Sequence, residues 1–244
     1  MLSPDNININ GLWIGKELTE TEQLTIRSFR ANGHRFHLWL YDQIENIPGE
    51  TVVHDASEVI PRDRVFRYPR ESPIRWGKGS YGGFSDIFRY KFLYEKGGWW
   101  VDMDITCLKP FDFQGEYFFR DHWKFNVVGN AMKCPSGSEL MKRCYEDAVK
   151  EVTAANTSWH KPIEILNRHI KPLGLLKYRH RKLFNDDHSF KLKKFFTGNV
   201  PFPEQWYGIH WVNSAGKINW KPGSTFHELL MRYEVISRYD KPTF

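Results

Sequence analysis

The sequence predicts an α/β domain built on a mainly parallel sheet flanked by helices. Short strand patterns alternate with helix patterns through the first half, and no internal repeat or Ser/Pro/Gly-rich linker divides the chain. The 244 residues are 41% hydrophobic and 16% aromatic, enough apolar side chains for one core. A chain of this length buries roughly 70% of its unfolded surface, so neither disulfides nor a structural metal is needed. Residues 1–244 read as one domain, with a first half at about 8–110 and a second at about 111–244 that ends in a helix.

Residues 7–15 read as a buried strand ending at a glycine. Thr19 and Glu22 form a capping box that opens a helix running to Ala31 and stopping near Gly33. Phe36, Leu38 and Leu40 alternate with His37, Trp39 and Tyr41 as a second strand, and 51–54 is a third candidate. Residues 62–78 hold six basic residues and two prolines and read as a loop. Between Phe84 and Tyr94 the apolar positions cover most of a helical circumference, which marks a helix packed nearly all round; Gly97 and Gly98 close it. Residues 99–101 and 105–108 read as strands. Ser136 with Glu139 opens an amphipathic helix along Leu140, Met141, Cys144, Tyr145, Ala148 and Val152, and Thr225 with Glu228 opens a last one.

Three cysteines without a CxxC pair fit neither a disulfide framework nor a thiolate zinc site, which points to a reducing compartment and a cytoplasmic location. No apolar run is long enough for a transmembrane span, and residues 1–10 lack the features of a secretory signal. The formal charge is +6, and residues 171–194 account for it alone, with eight Lys/Arg against Asp186 and Asp187. Such a stretch suits nucleic acid, an anionic membrane surface or an acidic polymer.

Asp102 and Asp104 flank Met103 at the end of the strand Trp99–Val101. In extended chain they would point to one side, and two carboxylates that close repel unless a cation or a protic group joins them. A divalent cation at the carboxyl end of the strand resolves the conflict; two solvated loop aspartates are the plainer alternative. Asp86 and Arg89, three apart on the densely apolar helix, either pair internally or present an acceptor and a donor to hydroxyls beside the aspartates.

From Ser85 to Asp104 the chain reads SDIFRYKFLYEKGGWWVDMD. The spacing S-D-x-x-R followed by G-G-x-x-x-D-x-D resembles the DxD-containing sugar-binding region of a glycosyltransferase family. That family includes yeast-type mannosyltransferases, capsule and lipopolysaccharide transferases and, more distantly, the large clostridial glucosylating toxins. Trp100 takes a place usually held by tyrosine. Leu12-Trp13-Ile14-Gly15 resembles the W-I-G at the end of the family's first strand, and Trp206 to Trp211 with Asn213 and Ser214 resembles its late His/Trp segment. The resemblance runs unevenly from about residue 8 to 214; the His-Pro usual after Asn130 is absent, and Lys161-Pro162 stands where Gly-Pro is common.

The resemblance implies a GT-A-type fold whose first half binds a UDP- or GDP-sugar and whose second half receives a glycan, lipid-linked glycan or other hydroxyl acceptor. It implies hexose transfer with retention, in polysaccharide, lipopolysaccharide or capsule synthesis. By the same resemblance Asp102 and Asp104 are catalytic, Asp104 and His210 hold Mn²⁺ or Mg²⁺, and Asp86, Arg89 and Asp102 bind the donor sugar. Trp13 stacks on the nucleobase, and Asn130 and Ser214 contact substrate. The basic 171–194 segment then suits peripheral contact with the inner face of a membrane. The chief rival is a nucleic-acid or anionic-polymer binder using that segment, where Tyr178, Phe184, Phe190 and Phe195 interleave with the charges. No RNP, zinc or helix-turn-helix pattern supports it, so no nucleic acid is expected. A sugar binder without activity would lack the DxD or S-D-x-x-R, and a nucleotidyltransferase would carry a glycine-rich lysine loop after the first strand; neither condition is met.

Overall fold

The structure is a computed structural model that describes residues 1–244 except 73, 75, 157, 214–217 and 238–244. It shows the expected α/β class, with a mainly parallel sheet between helices. Strands β1 (Asn8–Trp13), β2 (Arg35–Leu40), β3 (Val52–Asp55), β4 (Gly98–Val101), β6 (Phe118–Asp121), β7 (Val127–Cys134) and β8 (Arg179–His180) form one sheet in the order β3-β2-β1-β4-β7-β6-β8. Only β7 runs against the others. A separate ribbon pairs β5 (Ile105–Cys107) with β9 (Gly208–His210).

Both faces of the sheet are covered, and strand alternation shows how. On β2, Phe36, Leu38 and Leu40 join one core cluster while Trp39 joins the other; on β4, Trp99 and Val101 face the first and Trp100 the second. Helix α1 (Glu20–Ala31) contributes Ile26 and Phe29 to the first layer. The second is filled by α2 (Gly82–Glu95), α3 (Glu139–Glu151) and α4 (Lys161–Ile170). A third cluster packs α5 (Ser189–Thr197) and α6 (Thr225–Arg232) onto β9 through Phe195, Ile209, Trp211 and Phe226. Leu24 of α1 belongs to the same cluster, which holds the ribbon against that helix.

Local signals account for most first-half elements. The Thr19/Glu22 capping box is formed. Helix α2 is apolar on nearly all sides and is buried accordingly, with Phe84, Phe88 and Phe92 in the core. Its continuation is broken by Gly97 and Gly98, at φ 68° and 84°, a region costly for a side chain. The described residues among 62–78 are irregular apart from a short 3₁₀ turn at Arg62–Arg64.

Two cap positions differ from expectation. Helix α3 is capped by Ser138, whose hydroxyl accepts from the Met141 amide; Ser136 instead donates to the Glu95 carbonyl. Helix α6 is capped by Ser224, which accepts from the His227 amide, and Thr225 is the first helical residue. In both cases a nearby serine takes the cap, two residues after the expected position in α3 and one before it in α6. The three cysteines are free and buried. Among the described residues no helix is long and apolar enough to cross a membrane.

Candidate active site

Asp102 and Asp104 lie just past the carboxyl end of β4, the edge of a parallel sheet where ligands collect. The chain does not stay extended there. The Ile105 amide donates to the Asp102 carbonyl at 3.2 Å, so residues 102–105 form a turn and Met103 is buried beneath it. The two carboxylates therefore reach one cavity of about 640 Å³ by a turn, and each meets different partners.

Asp102 belongs to a web with Arg89. The Arg89 guanidinium donates from Nη2 to Asp102 Oδ1 at 2.6 Å and lies 2.7 Å through Nη1 from Asp86 Oδ1. The Trp100 indole also donates to Asp102 Oδ1, at 3.0 Å, and its ring lies under the guanidinium. Arg89 is only 4% exposed, and its buried Nε has no hydrogen-bond partner among the described residues. Gly129 on β7 makes room for it, since a Cβ there would sit 2.3 Å from Nη1. The pairing of Asp86 with Arg89 and their placement in the cavity, alternatives at the level of sequence, both occur.

Asp104 belongs to a second web. Pairing of β5 with β9 sets Ile105 opposite His210 and brings the imidazole to the carboxylate, with Nε2 at 3.2 Å from Oδ1. The Asn213 amide donates to Asp104 Oδ2 at 2.9 Å, and the Trp211 amide to its carbonyl at 2.9 Å. On the far side of the ring, His210 Nδ1 lies 2.7 Å from Asp187 Oδ1. Arg120, fully buried, holds Asp187 by a two-pronged pair at 2.6 and 2.9 Å and also donates to Asn130 Oδ1 at 2.9 Å.

Burial opposes charge throughout this web, and the opposite charges outweigh it. Asp104 and Asp187 push the His210 imidazole up to about 10, so it is cationic at neutral pH. Burial likewise opposes ionisation of Asp187, yet Arg120 and His210 hold its carboxyl well below the usual range. Asp104 is lowered in the same sense, chiefly by His210 acting against burial. His122, also lining the cavity, is pushed down to about 4 by burial and stays neutral.

The donor set fits a hard divalent cation in one respect that can be measured. Two ligand atoms each about 2.1 Å from an octahedral ion and adjacent on it lie about 3 Å apart, and Asp104 Oδ1 and His210 Nε2 are 3.2 Å apart. Asp187 on Nδ1 would then orient the ring as carboxylates do behind metal-bound histidines. Among the described residues no three His, Cys, Asp or Glu side chains form a full ligand set. Further ligands would have to come from a diphosphate and water. Without a cation, the imidazolium supplies the positive charge between the two carboxylates.

Of the residues singled out in the sequence, Asp86, Arg89, Asp102, Asp104, Asn130 and His210 line the one cavity. Trp13 does not line it. It sits at the carboxyl end of β1, half-buried, and its indole N–H donates to the Glu17 carbonyl at 2.9 Å. Ser214 lies outside the described residues. Asp187, Arg120, Asn185 and His122 escaped sequence reasoning. In the sequence Asp187 is one of two acids within a basic run, and Arg120 sits between two phenylalanines and an aspartate with no motif spacing.

Asp86 yields a prediction. Burial, with Asp102 nearby, pushes its carboxyl up to about 6 against the pull of Arg89. A folded-state pKa above the unfolded one gives stability that is complete below about pH 4 and lost as pH rises through about 6. Asp86→Asn is expected to remove this pH-dependent component, about 1–3 kcal/mol between pH 4 and 7. Melting temperatures of both proteins across that range check it; parallel curves would refute it.

Residues 76–124 match the family model described as "Glycosyltransferase sugar-binding region containing DXD motif". Comparison with curated proteins gives no match. Among solved structures, one described as "PaToxG Glycosyltransferase" is 14% identical over 69% of each chain, with a TM-score of 0.47. A cysteine-to-serine double mutant of a transferase is 12% identical over 70% of this chain and 86% of its own, with a TM-score of 0.44.

Proposed function

We propose, from the premise that residues 76–124 are a DXD-containing sugar-binding region of a glycosyltransferase, that the chain moves a hexose from a nucleotide-diphosphate sugar to a hydroxyl acceptor. One observation carries the reading: six residues scattered from 86 to 210 converge on a single cavity at the carboxyl edge of the sheet. Asp104 and His210 would hold Mn²⁺ or Mg²⁺, with Asp187 orienting the imidazole. When bound, the ion neutralises the charge that grows on the departing diphosphate. Arg89, Asp86 and Asp102, which line the cavity together, would present a donor and acceptors to the hydroxyls of the donor sugar. Trp13, at the end of the neighbouring strand β1, remains the candidate for stacking on the nucleobase.

Transfer with retention, by attack from the face the diphosphate leaves, is supported by what the cavity lacks among its described residues. Each of its four aspartates, Asp86, Asp102, Asp104 and Asp187, is already engaged by a cationic partner. His122, lowered to about 4, is too weak a base for neutral pH. No carboxylate of the cavity stands free as a base for inversion, and His160 and His188 also line it; in the retaining reading the departing phosphate takes the acceptor's proton. The acceptor is a glycan or lipid-linked glycan, in the synthesis of polysaccharide, capsule or lipopolysaccharide, and residues 1–244 act as one domain in the cytoplasm.

A thermal-shift screen of UDP- and GDP-sugars with and without Mn²⁺ tests this. A ligand at 100 times its Kd stabilises by about 2.7 kcal/mol, or about 5–11 °C for a chain of this size. The rise is expected only when nucleotide sugar and Mn²⁺ are present together. A flat response to every nucleotide would sink the reading.

A further inference from the structure

The basic segment 171–194 plays no part in the proposed chemistry beyond Asn185 and Asp187. Its folded form removes the basis for single-strand binding. Of the four aromatic residues that interleave with its charges, Phe184 and Phe195 are core, and Tyr178 packs on Tyr117 with ring centroids 5.3 Å apart. Only Phe190 is free of the core, and it is 71% exposed. A row of rings on which successive bases could stack does not exist.

Phe190 has a different neighbourhood. Its ring lies 5.2 Å from His188, which lies 4.4 Å from Trp123, itself 60% exposed. These three rings, from two distant stretches of chain, form one ridge on the rim of the cavity that holds Asp102 and Asp104. Basic groups surround the ridge. Lys124 follows Trp123, and Lys193 and Lys194 stand exposed on the outer side of α5 while Leu192 and Phe195 face inward. The Lys182 amide donates to the Asp121 carboxylate at 3.3 Å, which anchors exposed Arg181 and Lys182 beside the loop of Trp123. Acidic groups nearby are spent, since Asp186 pairs with Lys191 and Asp187 is buried against Arg120.

We propose that this rim, the aromatic ridge of Trp123, His188 and Phe190 within the basic face of α5, docks on an anionic lipid bilayer. Two bulky rings standing out from a cationic surface, 60% and 71% exposed, match an interface where rings settle among headgroups and lysines meet acidic phosphates. A folded protein partner would instead need an apolar recess, and a polyanion needs no exposed rings. Docking this way turns the cavity mouth to the membrane surface. Binding requires neither nucleotide nor metal, so it stands or falls separately from the proposed transfer reaction.

The test is co-sedimentation of the chain with vesicles of phosphatidylglycerol and phosphatidylethanolamine, against vesicles of phosphatidylcholine alone. Binding is expected to the anionic vesicles only, and to weaken with salt. The triple variant Arg181→Gln, Lys193→Gln, Lys194→Gln is expected to bind on the order of a hundred-fold more weakly. Brominated lipid should quench tryptophan emission in the native chain and quench it less in Trp123→Phe. Melting temperatures of the variants confirm that they fold, since all these side chains are exposed. Equal binding to neutral vesicles, no binding to either kind, or no quenching with displacement by a single-stranded oligonucleotide would each overturn the proposal, the last in favour of a polyanion.

Discussion

Asp104→Ala is expected to lower Mn²⁺-dependent turnover by about a thousand-fold or more while leaving the melting temperature within a few degrees. The scale is that of losing a group that stabilises charge formed only in the transition state. The side chain gives one oxygen to the side of His210 and the other to the Asn213 amide, so its loss removes the oxygen paired with Nε2. The fold should tolerate the change because His210 keeps Asp187 as a charge partner at 2.7 Å. Assays across Mn²⁺ concentrations separate weaker metal binding from slower chemistry: if only affinity fell, high Mn²⁺ would rescue the rate. Unchanged turnover at every concentration would mean that Asp104 holds no cation.

Arg120→Leu should be the most destabilising single change at the site, costing about 3–5 kcal/mol, or a melting temperature lower by about 6–20 °C. The guanidinium is fully buried, donates to both oxygens of Asp187, to Asn130 and to the Asn185 carbonyl, and stacks over Phe184. Removing it strands a buried carboxylate with only His210 to balance it. Adding Asp187→Asn to Arg120→Leu should return part of the loss, because the stranded charge goes with the second change. A loss under about 1 kcal/mol, or no recovery in the double variant, would show that the pair is solvated and not a buried ion pair.

What could be read in the sequence follows the distance over which a signal acts. The Thr19/Glu22 box, the all-round apolar pattern of α2 and the glycine pair at 97 and 98 each concern one or two helical turns, and each is realised as read. The same logic misplaced two caps by one or two residues, at Ser138 and Ser224, where a neighbouring serine competes for the same orphan amide. Strand β7 went unread although all eight of its residues are buried, because Asn130 and Lys133 interrupt its apolar run. Both polar side chains are satisfied by distant groups, Asn130 by Arg120 and Lys133 by Asn6, which no local pattern can announce.

Alone, the sequence determined the α/β class and the segment from Ser85 to Asp104, where a helix, a glycine stop and a short strand carry two aspartates, a third carboxylate and an arginine within twenty residues. Their mutual placement follows from helix and strand geometry over a short span. Only the tertiary structure decided how the two aspartates divide their partners. It folded residues 102–105 into a turn, set His210 against Asp104 through the β5–β9 ribbon, and drew Asp187 out of a basic run to meet Arg120. Such partners are chosen by strand pairing and by the cost of leaving a buried charge unmatched, and both act between residues that are neighbours in space alone.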